Sequence, residues 1–491
     1  METMRGDAPV AEGQTLYLDG KWATAADLGV FEVTDPATGR VIGHASDAGA
    51  AEAEQALAAA CAAFRPWSHR TAYERAEVLR RAHAIMTARA DELAELMTLE
   101  QGKPLRAARN EVSYGADFLL WYAEEAKRVY GATIPASRGD QRLTVLRQPV
   151  GVVAAITPWN YPVSMITRKV APAVAAGCTI IVKPAEQTPL CAVEMFRIFD
   201  EAGFPPGVVN LLTTSRPAAV AEPLLASPAV RKLTFTGSTE VGMTLAARAA
   251  ATMKRVSLEL GGHAPFIVLD DADIARAAKG AAMVKFLNTG QACISPNRIY
   301  VHRSRIDEFL AVLAGRVSAM KAGSGFTAGV SIGPLIDDAA MAKMERQVSD
   351  ATGKGATVLA GGRRLVEGEL RHGRFYAPTI LTGVTPAMDV YHEETFGPLA
   401  PVIAFDGEDD VIEAANATTY GLASYVYTTS MARATRVSEA LEFGIVGVND
   451  INPTSAAAPF GGVKFSGLGR EGGALGIDEY LDTKLVGMSL Q

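Results

Sequence analysis

One cysteine stands apart from the other three. Cys293 lies in Asn288-Thr289-Gly290-Gln291-Ala292-Cys293-Ile294-Ser295, among small and polar residues, whereas Cys178 sits in the apolar run AAGCTIIV. A cysteine reacts as its thiolate, and an exposed helix-start setting would lower its pKa from about 8.5. No histidine is near Cys293 in sequence, so any partner must come from elsewhere in the fold. Glu259, in Leu258-Glu259-Leu260-Gly261-Gly262, is a carboxyl between apolar residues. Desolvation raises the pKa of such a group and makes it a base near neutrality. In Thr157-Pro158-Trp159-Asn160-Tyr161-Pro162, two prolines fix a loop and Asn160 offers an amide to an oxyanion. Nucleophile, base and oxyanion donor are the parts that acyl-enzyme chemistry requires.

The elements that must position these groups follow from hydrophobic pattern. Short apolar runs at Val150–Ile156, Thr179–Val182, Val208–Leu212, Lys232–Phe235 and Arg255–Leu258 read as strands. Between them, Val163–Ala176, Pro189–Ala202, Arg216–Ala226 and Thr239–Ala251 are long enough for crossover helices. Strand-helix alternation of this kind predicts a parallel sheet covered on both faces, with ligands beyond the carboxyl ends of its strands. A second α/β region spans Ala264 to Val446, with strand-like runs at Phe266–Leu269, Arg298–Val301 and Leu399–Phe405. Upstream, Ala51–Phe64 and Tyr73–Gln101 read as helices, the second stopped by Gly102-Lys103-Pro104. Arg142–Gln148 alternates polar and apolar residues, as a hairpin pairing across a subunit interface would, and Lys484–Leu490 reads as a terminal strand.

The formal GxGxxG at Gly467, Gly469 and Gly472 is rejected as a phosphate loop, because only nineteen residues follow it and no βαβ unit fits. Phe235-Thr236-Gly237-Ser238-Thr239-Glu240-Val241-Gly242 is the better candidate. There Gly237 allows close approach, and Ser238 opens a helix whose N-terminus favours phosphate. At another strand end, Lys183 is placed to touch a ribose or phosphate and Glu186 to accept from ribose hydroxyls. The charge of Glu186 would repel a 2′-phosphate, so NAD is expected over NADP.

Composition narrows the class. The chain has 491 residues, a formal charge of −7 and 48% apolar residues, enough for two to four globular domains. An acidic balance offers no footprint for nucleic acid, and no apolar stretch is long enough to span a membrane. The N-terminal METMRGDAPVAEG has no signal-peptide core, so a cytoplasmic location is expected. Four cysteines and scattered histidines suggest neither a disulfide framework nor a metal site.

Seven segments then combine. TPWNYP, IVKPAE, FTGSTEVG, LELGGHAP, NTGQACIS, EETFGPL and PFGGVKFSGLGREG occur in an order and spacing that resembles the NAD(P)-dependent aldehyde dehydrogenases, from about residue 15 onward. The wording ITRKVAPAVAAGC and PFGGVKFSGLGREGG is most similar to the succinate-semialdehyde dehydrogenase group. The resemblance implies an α/β fold with a Rossmann-like cofactor domain, an α/β catalytic domain and a small β oligomerisation element. By position, residues 1–126 and 150–260 would bind NAD and 261–456 would carry catalysis. Residues 127–149 and 473–491 would form the homodimer or homotetramer contact, joined by a Gly-rich return at 457–472. It implies that Cys293 attacks the aldehyde, that Asn160 and the Cys293 amide hold the oxyanion, and that Glu259 activates water against the thioester. Thr157, Pro158, Trp159, Lys183, Glu186, Gly237, Ser238, Leu260, Glu394 and Phe396 would surround the cofactor, and Arg168, Tyr161, Leu287, Thr454 and Phe460 the substrate.

Three departures bear on these expectations. Leu287 stands six residues before Cys293, where the semialdehyde enzymes place an arginine of the carboxylate clamp. Arg168 and Thr454 are left to bind a carboxylate, and an apolar wall suits uncharged, hydroxylated or longer aldehydes, the alternative reading. Ser295 replaces a redox cysteine found in some relatives, so no disulfide switch is expected, and Leu212-Thr213-Thr214-Ser215 lacks a common glycine. Intact Cys293, Glu259 and Asn160 argue against a purely binding role, and Glu259 against CoA acylation.

Overall fold

The computed structural model describes residues 14–26 and 29–490; the segment 1–13, read above for targeting, lies outside them. Its largest sheet has eight strands, and the central five are parallel. Their spatial order is Arg255–Glu259, Val230–Thr236, Val152–Ile156, Thr179–Lys183, Val209–Leu211. The chain therefore starts in the middle, winds outward to Val209–Leu211, then crosses back to lay Val230–Thr236 on the other side of the first strand. That reversal opens a crevice beyond Ile156 and Thr236, where open α/β sheets bind ligands. The strand Thr179–Lys183 is buried along its whole length, as a parallel strand covered on both faces must be.

The expected strands and crossover helices are present with ends shifted by a few residues. Two features differ. Tyr73–Gln101 is two helices, Ala72–Ala88 and Ala90–Gln101, kinked at Arg89. The apolar spacing runs through this one-residue break, so periodicity does not register it. Leu105–Glu125, which the sequence reading does not name, is a 21-residue helix packed on Ser164–Ala176. All 13 residues of Ser164–Ala176 are buried, Arg168 and Lys169 included.

A seven-stranded sheet holds the second α/β region, parallel except at the Thr357–Ala360 edge. Gln141–Pro149 pairs on one side with Ala132–Ile134 and on the other, over nine residues, with Leu481–Ser489. Gly467–Leu468 is no phosphate loop: it pairs antiparallel with Leu258 and Glu259 and closes the edge of the large sheet. Among the described residues no helix is long and apolar enough to cross a membrane, and no cluster of acidic, histidine or cysteine side chains is built to hold a metal.

Candidate active site

Cys293 does not open a helix. It lies in a turn between the 3-10 segment Leu287–Gly290 and the strand Pro296–His302. Asn288 and Thr289 before it take left-handed φ of 49° and 60°, rare for a β-branched residue. Gly333 holds Thr289 there, its N–H donating to Thr289 Oγ1 at 2.9 Å. Burial, not a helix dipole, dominates the thiol and pushes it up to about 12, with the Arg168 cation opposing the rise. The resting group is a thiol that must lose its proton to react. Gly262 brings the Glu259 loop against it: a Cβ there would stand 2.3 Å from the Cys293 carbonyl oxygen. Asn160 is buried on the other side, its Nδ2 donating to Gln291 O at 3.1 Å and its Oδ1 without a protein partner.

Glu259 ends its strand with 4% of its surface exposed and Oε2 unpartnered. Desolvation, then the nearby Glu471 carboxylate, raise its pKa well above the carboxylate range, with Arg168 and Lys169 opposing. The sequence reading missed Glu471 and Lys169, both fully inside. Lys169 Nζ donates to Glu471 Oε1 at 2.5 Å and to Thr236 Oγ1 at 2.7 Å. Arg168 Nε lies 2.9 Å from Glu471 Oε2. Burial alone would raise Glu471, but the two cations hold it below the usual carboxylate value. A negative Glu471 beside a proton-retaining Glu259 is the arrangement two coupled carboxyls adopt when their surroundings differ. The signal available in sequence was the charge pair Arg168-Lys169 inside an otherwise apolar helix.

The crevice residues gather beside these groups. Ser238 caps the helix Thr239–Ala250, accepting from Val241 N. A Cβ on Gly237 would stand 2.4 Å from the Phe235 ring, so that turn must stay bare. Thr157 N donates to Lys183 O at 3.1 Å, and Thr157 Oγ1 is buried without a partner. Leu260 is buried under the same helix, against Gly242. Glu394 Oε1 accepts from Gly262 N at 2.9 Å, and the Trp159 and Phe396 rings meet edge-on at 5.5 Å, so the TPWNYP and EETFGPL loops converge. A bare turn, a helix N-terminus and an orphaned hydroxyl at a topological switch fit a dinucleotide.

Residues 22–486 match the aldehyde dehydrogenase family. The chain belongs to that family. It is 51% identical over 473 residues to a 3-sulfolactaldehyde dehydrogenase of Pseudomonas putida, spanning 96% of each chain. It is 49% identical over 477 residues to an Escherichia coli succinate-semialdehyde dehydrogenase named for NADP(+), covering 97% of this chain and 98% of that one. A crystal structure described as an E. coli NADP-dependent enzyme superposes with a TM-score of 0.96 at 48% identity, over 99% of both chains.

For this aldehyde dehydrogenase those relatives overturn the expected preference for NAD. The error is physical. Lys183 Nζ donates to Glu186 Oε2 at 3.0 Å, so the carboxylate counted as a repulsive charge is already paired. On the substrate side, Arg168 is 2% exposed, its guanidinium 4.1 Å from the Phe460 ring centroid and its Nη2 buried without a partner. Tyr161 lies under Lys103 Nζ at 4.2 Å. Leu287 is 40% exposed. Thr454 donates to Asn452 Oδ1 at 3.0 Å, so its hydroxyl is engaged beside it and not with Arg168.

Proposed function

We propose that the protein oxidises a small aldehyde with an anionic tail, such as succinate semialdehyde, to the carboxylate, using NADP⁺. The observation that carries the substrate class is Arg168, a buried cation whose Nη2 has no partner, close enough to the Cys293 thiol to oppose its desolvation. The similarity to a succinate-semialdehyde and a 3-sulfolactaldehyde dehydrogenase supports it, because both named substrates end in an anion.

In this reading Cys293 gives up its proton to solvent and its sulfur adds to the carbonyl carbon. The Asn160 amide and the Cys293 N–H receive the oxygen of the thiohemiacetal. NADP⁺ supplies the hydride acceptor that leaves a thioester on Cys293. Glu259, in its deprotonated form, then takes a proton from water as the water attacks the thioester; the carboxylic acid leaves, and the expelled Cys293 sulfur takes that proton back as the thiol. Lys183, Glu186, Ser238, Glu394 and Phe396 hold and orient the cofactor. The described residues up to 126, with 150–260, form the cofactor domain and 261–456 the catalytic domain. Residues 127–149 with 473–490 join copies into a homo-oligomer, and 457–472 return between them. The exposed Leu146, Leu485 and Met488 on the three-stranded sheet support that contact. Four free cysteines are in keeping with a reducing, cytoplasmic compartment.

Rates of reduced cofactor formation test the substrate. Succinate semialdehyde, glutarate semialdehyde and 3-sulfolactaldehyde are compared with butyraldehyde and benzaldehyde, each with NADP⁺ and NAD⁺. The anionic aldehydes should give at least tenfold higher kcat/KM, with NADP⁺ the better acceptor. Arg168→Met should remove that preference, as loss of a charge-assisted contact predicts. Equal or better turnover of butyraldehyde favours the second reading, a dehydrogenase for uncharged aldehydes, to which the exposed Leu287 and the Arg168–Glu471 pairing point. Asn160→Ala should lower kcat by about 10²–10³. A fall of less than about threefold would show that the oxyanion is held by other donors.

A further inference from the structure

The loop that presents Asn160 is held from outside the site by one buried ion pair. Lys103 lies in the bend between the helices Ala90–Gln101 and Leu105–Glu125, and Glu111 on the second turn of the latter. Their side chains are 1% and 0% exposed and paired directly with each other. The lysine does more than balance a charge. Its Nζ donates to the Asn160 carbonyl oxygen at 2.7 Å while lying over the Tyr161 ring. Asn288 Nδ2 donates to the same carbonyl at 3.0 Å. The carboxylate reaches the far end of the loop: Glu111 Oε1 accepts from Val163 N at 3.0 Å and Ser164 N at 3.2 Å.

One pair thus grips the loop on both sides of Tyr161-Pro162, directly at the backbone of Asn160. The Asn160 side chain has a single protein partner, Gln291 O, so its aim depends on where that backbone is held. Stability does not call for such a pair. Burying two charges costs desolvation that their attraction seldom recovers, and an apolar pair of equal volume would fill the space as well. What only the charged pair supplies is direction, with donors onto one carbonyl and an acceptor for two amides.

We propose that Lys103 and Glu111 are positioning residues that set the Asn160 amide at the point where the oxyanion forms. The inference rests on Asn160 being the oxyanion donor, and its test separates the two. Single-turnover NADPH formation is measured at saturating aldehyde for Asn160→Ala, Lys103→Met, Glu111→Gln and the double variants of each with Asn160→Ala. KM and NADPH binding by fluorescence are followed alongside. A misplacement near 1 Å costs about 10²-fold, so Lys103→Met and Glu111→Gln should each slow the step about 10- to 100-fold. KM and NADPH affinity should stay within about threefold, and Lys103→Arg should recover part of the rate. In the Asn160→Ala background neither change should slow the step further, because the group they position is gone. Full multiplication of the two losses, or an unchanged rate in the single variants, overturns the inference. An Asn160→Ala protein at wild-type rate overturns the oxyanion reading itself. Should Lys103→Met not fold, Glu111→Gln, which keeps an acceptor of the same shape, carries the same cycle.

Discussion

Cys293→Ala should form no NADPH above background, a loss of about 10⁴-fold or more, as expected when a nucleophile that acts as part of a unit is removed. No other thiol can substitute. Cys178 and Cys191 are enclosed in the core of the large sheet, and burial pushes Cys178 up to about 11 and Cys191 well above its ordinary value. Cys61 is exposed on the helix Ala50–Ser68. The variant should bind NADPH as the parent does, because the bare Gly237 turn and the Ser238 cap are untouched. Fluorescence titration beside the activity assay separates the two. Residual turnover above about one per cent with intact binding would place the nucleophile elsewhere.

Glu259→Gln should split the reaction in time. The amide cannot take a proton from water, so the thioester accumulates: stopped flow should show a burst of NADPH approaching one equivalent per subunit. Steady-state turnover should fall by about 10²–10⁴. The sign of the pH dependence follows from surroundings. Burial and the Glu471 charge raise the Glu259 pKa, so its basic form appears only above that raised value. Thioester hydrolysis should rise with pH through it, and the glutamine variant should lose that limb. A variant with no burst and an unchanged profile would assign the base elsewhere.

The parallel sheets were legible because buried parallel strands are short apolar runs spaced by helix-length segments, a pattern that survives without any knowledge of partners. Cys293, Glu259 and Asn160 were legible for a similar reason: each is a polar group in a setting that suits neither core nor surface. What stayed hidden needed distance. Nothing near Glu471 in sequence announces that it meets Lys169, 302 residues away, in the sheet's interior. Glu186 shows the converse error. Its type and position suggested rejection of a 2′-phosphate, but its charge is paired with Lys183 three residues earlier. A residue's formal charge is read from sequence, whereas its effective charge belongs to the fold. Likewise Cys293 was expected at a helix start, and the turn it occupies follows from two left-handed residues, one of them the β-branched Thr289, which propensity disfavours there.

The short strand Gly467–Leu468 links the site to the order in which the chain is made. Until it arrives, Arg255–Glu259 is the bare edge of the large sheet, with the backbone of Leu258 and Glu259 unpaired on that side. The same late segment brings Glu471, without which Arg168 and Lys169 face each other as two uncompensated cations in the interior. These residues are made after Cys293. The nucleophile is therefore made before the charges around Glu259 are balanced, and the centre waits on the segment that carries Glu471. A product of premature termination inherits an open sheet edge, the kind of surface that recruits other strands.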